Sequence, residues 1–273
     1  KSAQMKIINL LILFNFLPIF LGGQICWNTI EVLGKIPDCE EEYELVFKED
    51  FEETSIDENF WEVWEGIPRD YKFVHSKSYN NPGNLLLSEG TLKIYALKYK
   101  EPYNGSWVVD YTTTPHTRTN DVFNYSAGQI RTRQKFGFGK YEIRCRVPKG
   151  QGFKSNFWMH DGKNASELDV FEIKGSATNE FPTAIHFDYD EDGTDNSCGE
   201  ILDLGQDYSE WHTFTALFDF DKVVWQIDGE TVKTVHRFRN IFFKSLFCGI
   251  RPWFPAAFTP KAYPRDNMYV FIN

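Results

Sequence analysis

From residue 43 onward, short runs alternate apolar and polar positions, with turn-forming residues between them: YELVFKEDF, GTLKIYAL, GKYEIRCRV, NFWMH, ELDVFEI, TAIHFDY, HTFTALF, KVVWQID and ETVKTV. This period-two pattern predicts half-buried strands, and no window sustains a long helical period. Asp228-Gly229, set between VVWQI and ETVKTV, predicts a two-residue hairpin. Many short strands joined by tight turns argue for an all-β sandwich or jelly roll of antiparallel sheets. In GKYEIRCRV, Tyr141, Ile143, Cys145 and Val147 share one face against Glu142, Arg144 and Arg146, so Cys145 is expected in the core. There is no internal repeat and no low-complexity linker.

One segment breaks the alternation. SELDVFEIKG, residues 166 to 175, places Glu167, Asp169 and Glu172 among Leu168, Val170, Phe171 and Ile173. Side chains alternate along a strand, so Glu167 and Asp169 share a face while Glu172 falls on the other. A β-bulge near Val170-Phe171 inserts one residue and returns Glu172 to the face of its two neighbours, with Leu168 and Ile173 left on the core. The two glutamates then stand as if four residues apart, their Cα atoms roughly 13 Å from one another. With 39 acids in 273 residues, three at this spacing are expected roughly once by chance, so the flanking runs have to carry the reading. In SNFWMH, Asn156, Trp158 and His160 alternate with Phe157 and Met159. In TAIHFDYD, His186 and Asp188 alternate with Ile185 and Phe187. Two further strands thus set amides, imidazoles and an indole beside the carboxylate row, the groups that hold sugar hydroxyls and stack on sugar faces.

The start differs from the rest. MKIINLLILFNFLPIFLGG has one Lys after Met5, an apolar run from Ile7 to about Leu21, and small residues after it, the layout of a secretory signal peptide. The run is short for a membrane span and is interrupted by Asn9, Asn15 and Pro18. Residues 1–23 are therefore expected to be a signal peptide with upstream residues, residues 24–42 a short lead-in, and residues 43–273 the catalytic domain, secreted and free of the membrane once the signal is cleaved. Losing Lys1 and Lys6 takes the formal charge from −10 to −12. Such a chain is a poor general binder of nucleic acid or of anionic membranes, both of which need clustered Lys and Arg. Export permits disulfides, and five cysteines leave one over. Cys26 with Cys39 and Cys198 with Cys248 are the favoured pairs, with Cys145 free. Asn104, Asn124 and Asn164 open N-glycosylation triplets, which are compatible with export. At 42% hydrophobic and 17% aromatic, the chain buries a sizeable core, and one all-β domain of this length is ordinary.

On these residues the chain resembles glycoside hydrolase family 16. ELDVFE fits the family's E-x-D-x-x-E pattern in its bulged form. YELVFKEDFEETSIDENFW, NPGNLLLSEGTLKIYA, SAGQIRTRQKFGFGKYEIRCRVPKG, FWM and WHTFTALFDFDKVVWQIDGE resemble its successive strands in order. The likeness covers residues 43 to about 236, and the closing MYVFIN begins like the family's last strand and stops early. The resemblance implies a concanavalin-like jelly roll, a monomer that needs no cofactor, and a retaining endo-glycosidase acting on a β-linked polysaccharide. β-1,3-glucan is the leading substrate and an algal galactan the main alternative. It implies Glu167 as nucleophile, Glu172 as general acid and base, and Asp169 as the carboxylate that hydrogen-bonds Glu167. The two glutamate carboxyls would approach the roughly 5 to 5.5 Å that retention requires. His186 would donate a hydrogen bond near the cleaved bond, Trp158 would stack on a sugar, and Asn156 would contribute to the polar face. Trp64 would line the cleft or pack in the core. A carbohydrate-binding protein on the same fold would lack a catalytic glutamate, and both are present. Transglycosylation shares every residue named.

Two features stay outside that scheme. DYDEDGTDN begins like a calcium loop with Asp188, Asp190, Asp192 and Gly193, but Glu200 comes one residue late; a solvated acidic loop is the better reading and structural calcium the lesser one. Arg131, Arg133 and Lys135 read as the solvent face of a strand, with contact to a sulfated substrate as the alternative.

Overall fold

A computed structural model of the chain describes residues 45–66, 78–110, 114, 115, 117–162, 166–187, 196–220, 222–236 and 267–273. The chain divides into one unit of residues 47–239 with 245–273 and another of residues 1–46 with 240–244. Apart from Leu45 and Val46, every described residue belongs to the first. The signal and lead-in segments, Cys26, Cys39, Cys248, Asn164 and the acidic residues Asp188, Asp190 and Asp192 lie outside the described residues.

The alternating runs become strands. In chain order the first eight are β1 (Trp61–Val63), β2 (Ser78–Asn80), β3 (Leu85–Leu87), β4 (Leu92–Ile94), β5 (Leu97–Asp110), β6 (Thr117–Ala127), β7 (Ile130–Thr132) and β8 (Gly139–Cys145). The rest are β9 (Lys154–His160), β10 (Ser166–Lys174), β11 (Glu180–Phe187), β12 (Asn196–Asp203), β13 (His212–Phe218), β14 (Lys222–Ile227), β15 (Glu230–His236) and β16 (Tyr269–Ile272). The largest sheet has the order β1-β7-β16-β9-β10-β11-β12, and a second runs β15-β14-β13-β8. Pairing within both is antiparallel. Two smaller sheets, β2-β6-β5 and β3-β4, complete the set.

The core lies where the two large sheets turn their apolar faces to each other. Phe157, Met159, Leu168, Phe171 and Ile173 from the first meet Phe214, Phe218, Trp225 and Ile227 from the second, all buried. The rings of Phe171 and Phe214 approach to 4.6 Å between centroids. Each such side chain withdrawn from water contributes about 1.5 to 3 kcal/mol, so the nine together hold the sheets face to face. The expected jelly-roll sandwich is the observed architecture.

Two local expectations can be followed to their cause. Asp228 and Gly229 both take positive φ, 52° and 86°, and a tight turn of that type needs it at both central residues. Cys145 is a free thiol packed against the core, and burial pushes its pKa up to about 12. The closing MYVFIN forms β16, which pairs with β7 on one side and β9 on the other, with Val270 and Phe271 buried. A strand bonded on both flanks is an interior strand, and this one lies beside the carboxylate-bearing pair β9-β10.

Candidate active site

β10 carries the carboxylates, and its register with β9 slips where the parity of the sequence required. Asp169 pairs with Trp158 and Phe171 with Phe157, so Val170 is the additional residue. Leu168, Val170, Phe171 and Ile173 are all buried on the core side, while Glu167 and Glu172 are half-buried on the opposite face with Asp169 between them. A bulge interrupts the backbone ladder and leaves polar groups to satisfy. Here the Asp169 carbonyl accepts the Thr183 hydroxyl of β11 at 2.7 Å and the Trp225 indole N–H of β14 at 3.1 Å. The irregularity that aligns the carboxylates is thereby pinned from its own sheet and from the facing one. Neither Thr183 nor Trp225 stands out in the sequence, where each reads as an ordinary strand residue.

Glu167 has a histidine across from it on both sides. Its Cα partners are His160 on β9 and His186 on β11. His186 Nε2 lies 3.2 Å from Asp169 Oδ2. The His160 ring is buried and its Nδ1 accepts the Gly162 N–H at 2.9 Å, which places the proton of the neutral ring on Nε2. That atom sits 3.9 Å from Glu167 Oε2 and 3.7 Å from Asp161 Oδ1. His160 belongs to the alternating polar face seen in SNFWMH, and its position opposite Glu167 becomes visible only with the register. Lys154, at the start of β9, brings Nζ to 2.6 Å from Glu172 Oε1.

Electrostatics separate the three carboxylates. Asp169 is buried, and burial, aided by the negative charges of Glu167 and Glu172, pushes its pKa up to about 7 against the opposing pull of His186. It therefore carries a proton through mildly acidic conditions. Glu167, Asp169 and His186 also bring one ligand atom each to within 4.8 Å of one another, a set that a cation could share.

An aromatic wall continues the same face towards β1. Trp158 stacks on Phe271 with centroids 4.3 Å apart, and its indole N–H donates to Asn273 Oδ1 at 2.9 Å. One ring face of Trp158 is thus taken up by the protein. Trp64 lies 6.1 Å from Phe271, at the far end of this wall. Asn156 is the Cα partner of Glu172, and its side-chain oxygen is buried without a donor among the described residues. Arg131 corrects the solvent-face reading. It lies over the rings of Trp64, Tyr269 and Phe271 at 5.1, 4.5 and 5.9 Å and binds Glu62 through Nε at 2.8 Å. Lys135 joins it at the Tyr269 ring, 4.8 Å away, and donates to the Asp161 carbonyl. Arg133 alone of the three stays at the surface, donating to the Glu58 carbonyl.

The molecule is thus a jelly-roll sandwich whose larger sheet presents a bulged strand of three carboxylates on its outer face. The family model for glycosyl hydrolases family 16 matches residues 82–244, more than half of the chain, and the chain belongs to that family. A beta-glucanase of Brevibacillus brevis is 30% identical over 146 residues, 48% of this chain and 54% of the relative. Xyloglucan endotransglucosylase/hydrolase protein 9 of Arabidopsis thaliana is 30% identical over 141 residues, 50% of this chain and 48% of the relative. The chain spans about half the length of the curated relatives it matches. Among solved structures, the catalytic domain of an endo-1,3-beta-glucanase (laminarinase) from Thermotoga petrophila RKU-1 superposes with a TM-score of 0.60 at 23% identity, covering 85% of this chain and 86% of that one. Porphyranase B from Zobellia galactanivorans gives 0.57 at 19% identity, covering 82% and 77%. At these identities the structures share the fold.

Proposed function

We propose that the chain is a secreted endo-glycosidase that cleaves a β-linked polysaccharide with retention of anomeric configuration, with β-1,3-glucan as its leading substrate and an algal galactan as the alternative. The observation that carries this reading is the bulge at Val170, which brings Glu167, Asp169 and Glu172 onto one face. In the first step a Glu167 carboxylate oxygen bonds the anomeric carbon as the glycosidic bond breaks, and Glu172 gives its proton to the departing oxygen. In the second, Glu172 takes a proton from water, whose oxygen displaces Glu167 from the sugar. Asp169 stays protonated through mildly acidic conditions, so it adds little negative charge where Glu167 must carry its own. His160 and His186 flank Glu167 on the neighbouring strands, with His160 Nε2 3.9 Å from its carboxylate and His186 bound to Asp169. The beta-glucanase relatives support a glucan substrate; the solved neighbours, a laminarinase and a porphyranase among them, support the fold alone.

The test is incubation with laminarin, mixed-linkage glucan, agarose, porphyran and carrageenans, followed by sizing of the products and NMR of the first anomer released. Oligosaccharides from one polymer, appearing first as the β-anomer, are expected; an α-anomer as first product overturns the mechanism. Recovery from the medium with a mature N-terminus near Gly23 tests export. The xyloglucan endotransglucosylase/hydrolase relative favours a second reading in which a sugar hydroxyl replaces water. Products longer than the starting chains, formed when acceptor oligosaccharides are added, would reveal it.

A further inference from the structure

Both side chains that donate to the Asp169 carbonyl have a charged residue as cross-strand partner. Trp225 pairs with Lys233 on β15, and Thr183 pairs with Glu200 on β12. These two strands end the orders of their sheets among the described residues. Strand parity puts both charges on the core side: Glu200 alternates with Cys198 and Leu202, and Lys233 with Val235, all packed in or against the core. The charges meet between the sheets, with Lys233 Nζ 3.7 Å from Glu200 Oε2 and 5.1 Å from the centroid of the Trp225 ring. A continuous chain of contacts therefore runs from β12 through the ion pair and the indole to the bulge on β10.

Lysine is an unfavourable residue for that position. Its side chain is 7% exposed against 56% for Glu200, and Nζ has no hydrogen-bond partner among the described residues. Burial draws its pKa down from 10.5, with Glu200 opposing. An apolar side chain of similar volume often serves stability as well or better than a buried ion pair, and such departures from local rules collect where function needs them. What an apolar chain lacks is a grip on the face of an indole. A desolvated ammonium is attracted to a Trp ring, and the N–H of this ring is the one given to the Asp169 carbonyl. Glu200 holds the ammonium from the other side and ties it to the strand that flanks Thr183.

We propose that Lys233 and Glu200 are positioning residues for the catalytic carboxylates: their pair holds Trp225 and Thr183 on the Asp169 carbonyl and so fixes the bulge that spaces Glu167 from Glu172. The inference rests on the endo-glycosidase reading, in which the two glutamates need a set separation. Both residues lie on the core side of the sheets and act through Trp225 and Thr183.

An inward charge on an edge strand also discourages pairing with other chains, and the experiment separates the two roles. Lys233→Met and Glu200→Gln are compared with the wild type in three respects: kcat and KM on the polymer of the panel that the wild type cleaves, the thermal midpoint, and exchange of the Trp225 indole proton with D2O followed by NMR, with Trp225→Phe assigning the signal. Lys233→Met frees the half-exposed Glu200 to turn to water, so its midpoint is expected to stay within a few degrees. Its kcat should fall by about ten- to a hundredfold, the effect of a small misplacement of reacting groups, with KM little changed. The indole proton should exchange several times faster while the Phe214 amide in the centre of β13 keeps its rate. Wild-type kcat in Lys233→Met, an unchanged indole proton, or aggregation as the sole defect overturns the proposal. Should Lys233→Met fail to fold, Glu200→Gln is read in its place by the same kcat and exchange measurements. A wild type that cleaves no polymer overturns the endo-glycosidase reading instead, and the indole exchange alone then decides whether the pair holds the bulge.

Discussion

Glu167 and Glu172 sit on the same strand in different company, one between two histidines and the other against a lysine. Replacing either with Gln is expected to remove nearly all turnover while the thermal midpoint stays within a few degrees, because each side chain serves a chemical step and neither fills the core. Azide should restore turnover to Glu167→Gly and give a glycosyl azide of inverted configuration; a retained product from that variant would exchange the two roles. Asp169 behaves differently because its pKa is raised from 3.8 to about 7. Between those values the folded chain holds a proton that the unfolded chain releases, so this group's contribution makes stability fall as pH rises through the window and level off above it. Asp169→Asn should lack that slope. Denaturant titrations of both proteins at pH 4, 5.5 and 7.5 check it, and parallel curves would refute the assignment. Glu167, Asp169 and Glu172 were legible in the sequence because one parity violation in an alternating run is informative. His160 and Lys154 were not: their distances to the glutamates depend on register across strands, which no local pattern contains.

The bulge is the element on which the site depends. Trp225 reaches it from the opposite sheet with a single hydrogen bond, and Trp225→Phe leaves the Asp169 carbonyl with Thr183 as its described donor. A cost of about 1 to 3 kcal/mol is expected, read as a lower denaturation midpoint, together with a fall in kcat that exceeds any change in KM because the spacing of the glutamates loosens. Deleting Val170 is more severe. Regular alternation would then turn Glu172 into the core, where an unpaired carboxylate costs several kcal/mol or takes up a proton. That variant should be recovered poorly and should melt without a cooperative transition; a well-folded, active deletion would mean the strand reaches its geometry by another route. The strands, the hairpin at Asp228-Gly229 and the bulge itself follow from short-range rules of alternation and turn chemistry. Arg131 was misread because it lies on a strand of three residues, too short for alternation to show which face is covered.

At the scale of the whole molecule, the larger sheet is assembled from distant parts of the chain. β16 lies between β7 and β9, so removing residues 269–273 should split the sheet beneath the aromatic wall and expose two edges that pair readily with other chains. Aggregation of the shortened protein, measured by light scattering beside the full chain, is the expected result. The same placement has a consequence for how the protein is made. Synthesis proceeds from the N-terminus at about 5 to 20 residues per second, and 100 residues separate Glu172 on β10 from Ile272 at the end of β16. For roughly 5 to 20 seconds at that rate, the ribosome has delivered every carboxylate of the site but not the strand that closes the sheet around them. The nascent chain spends that interval with an open seam in its larger sheet, and the face that carries the carboxylates is completed only once β16 has been made.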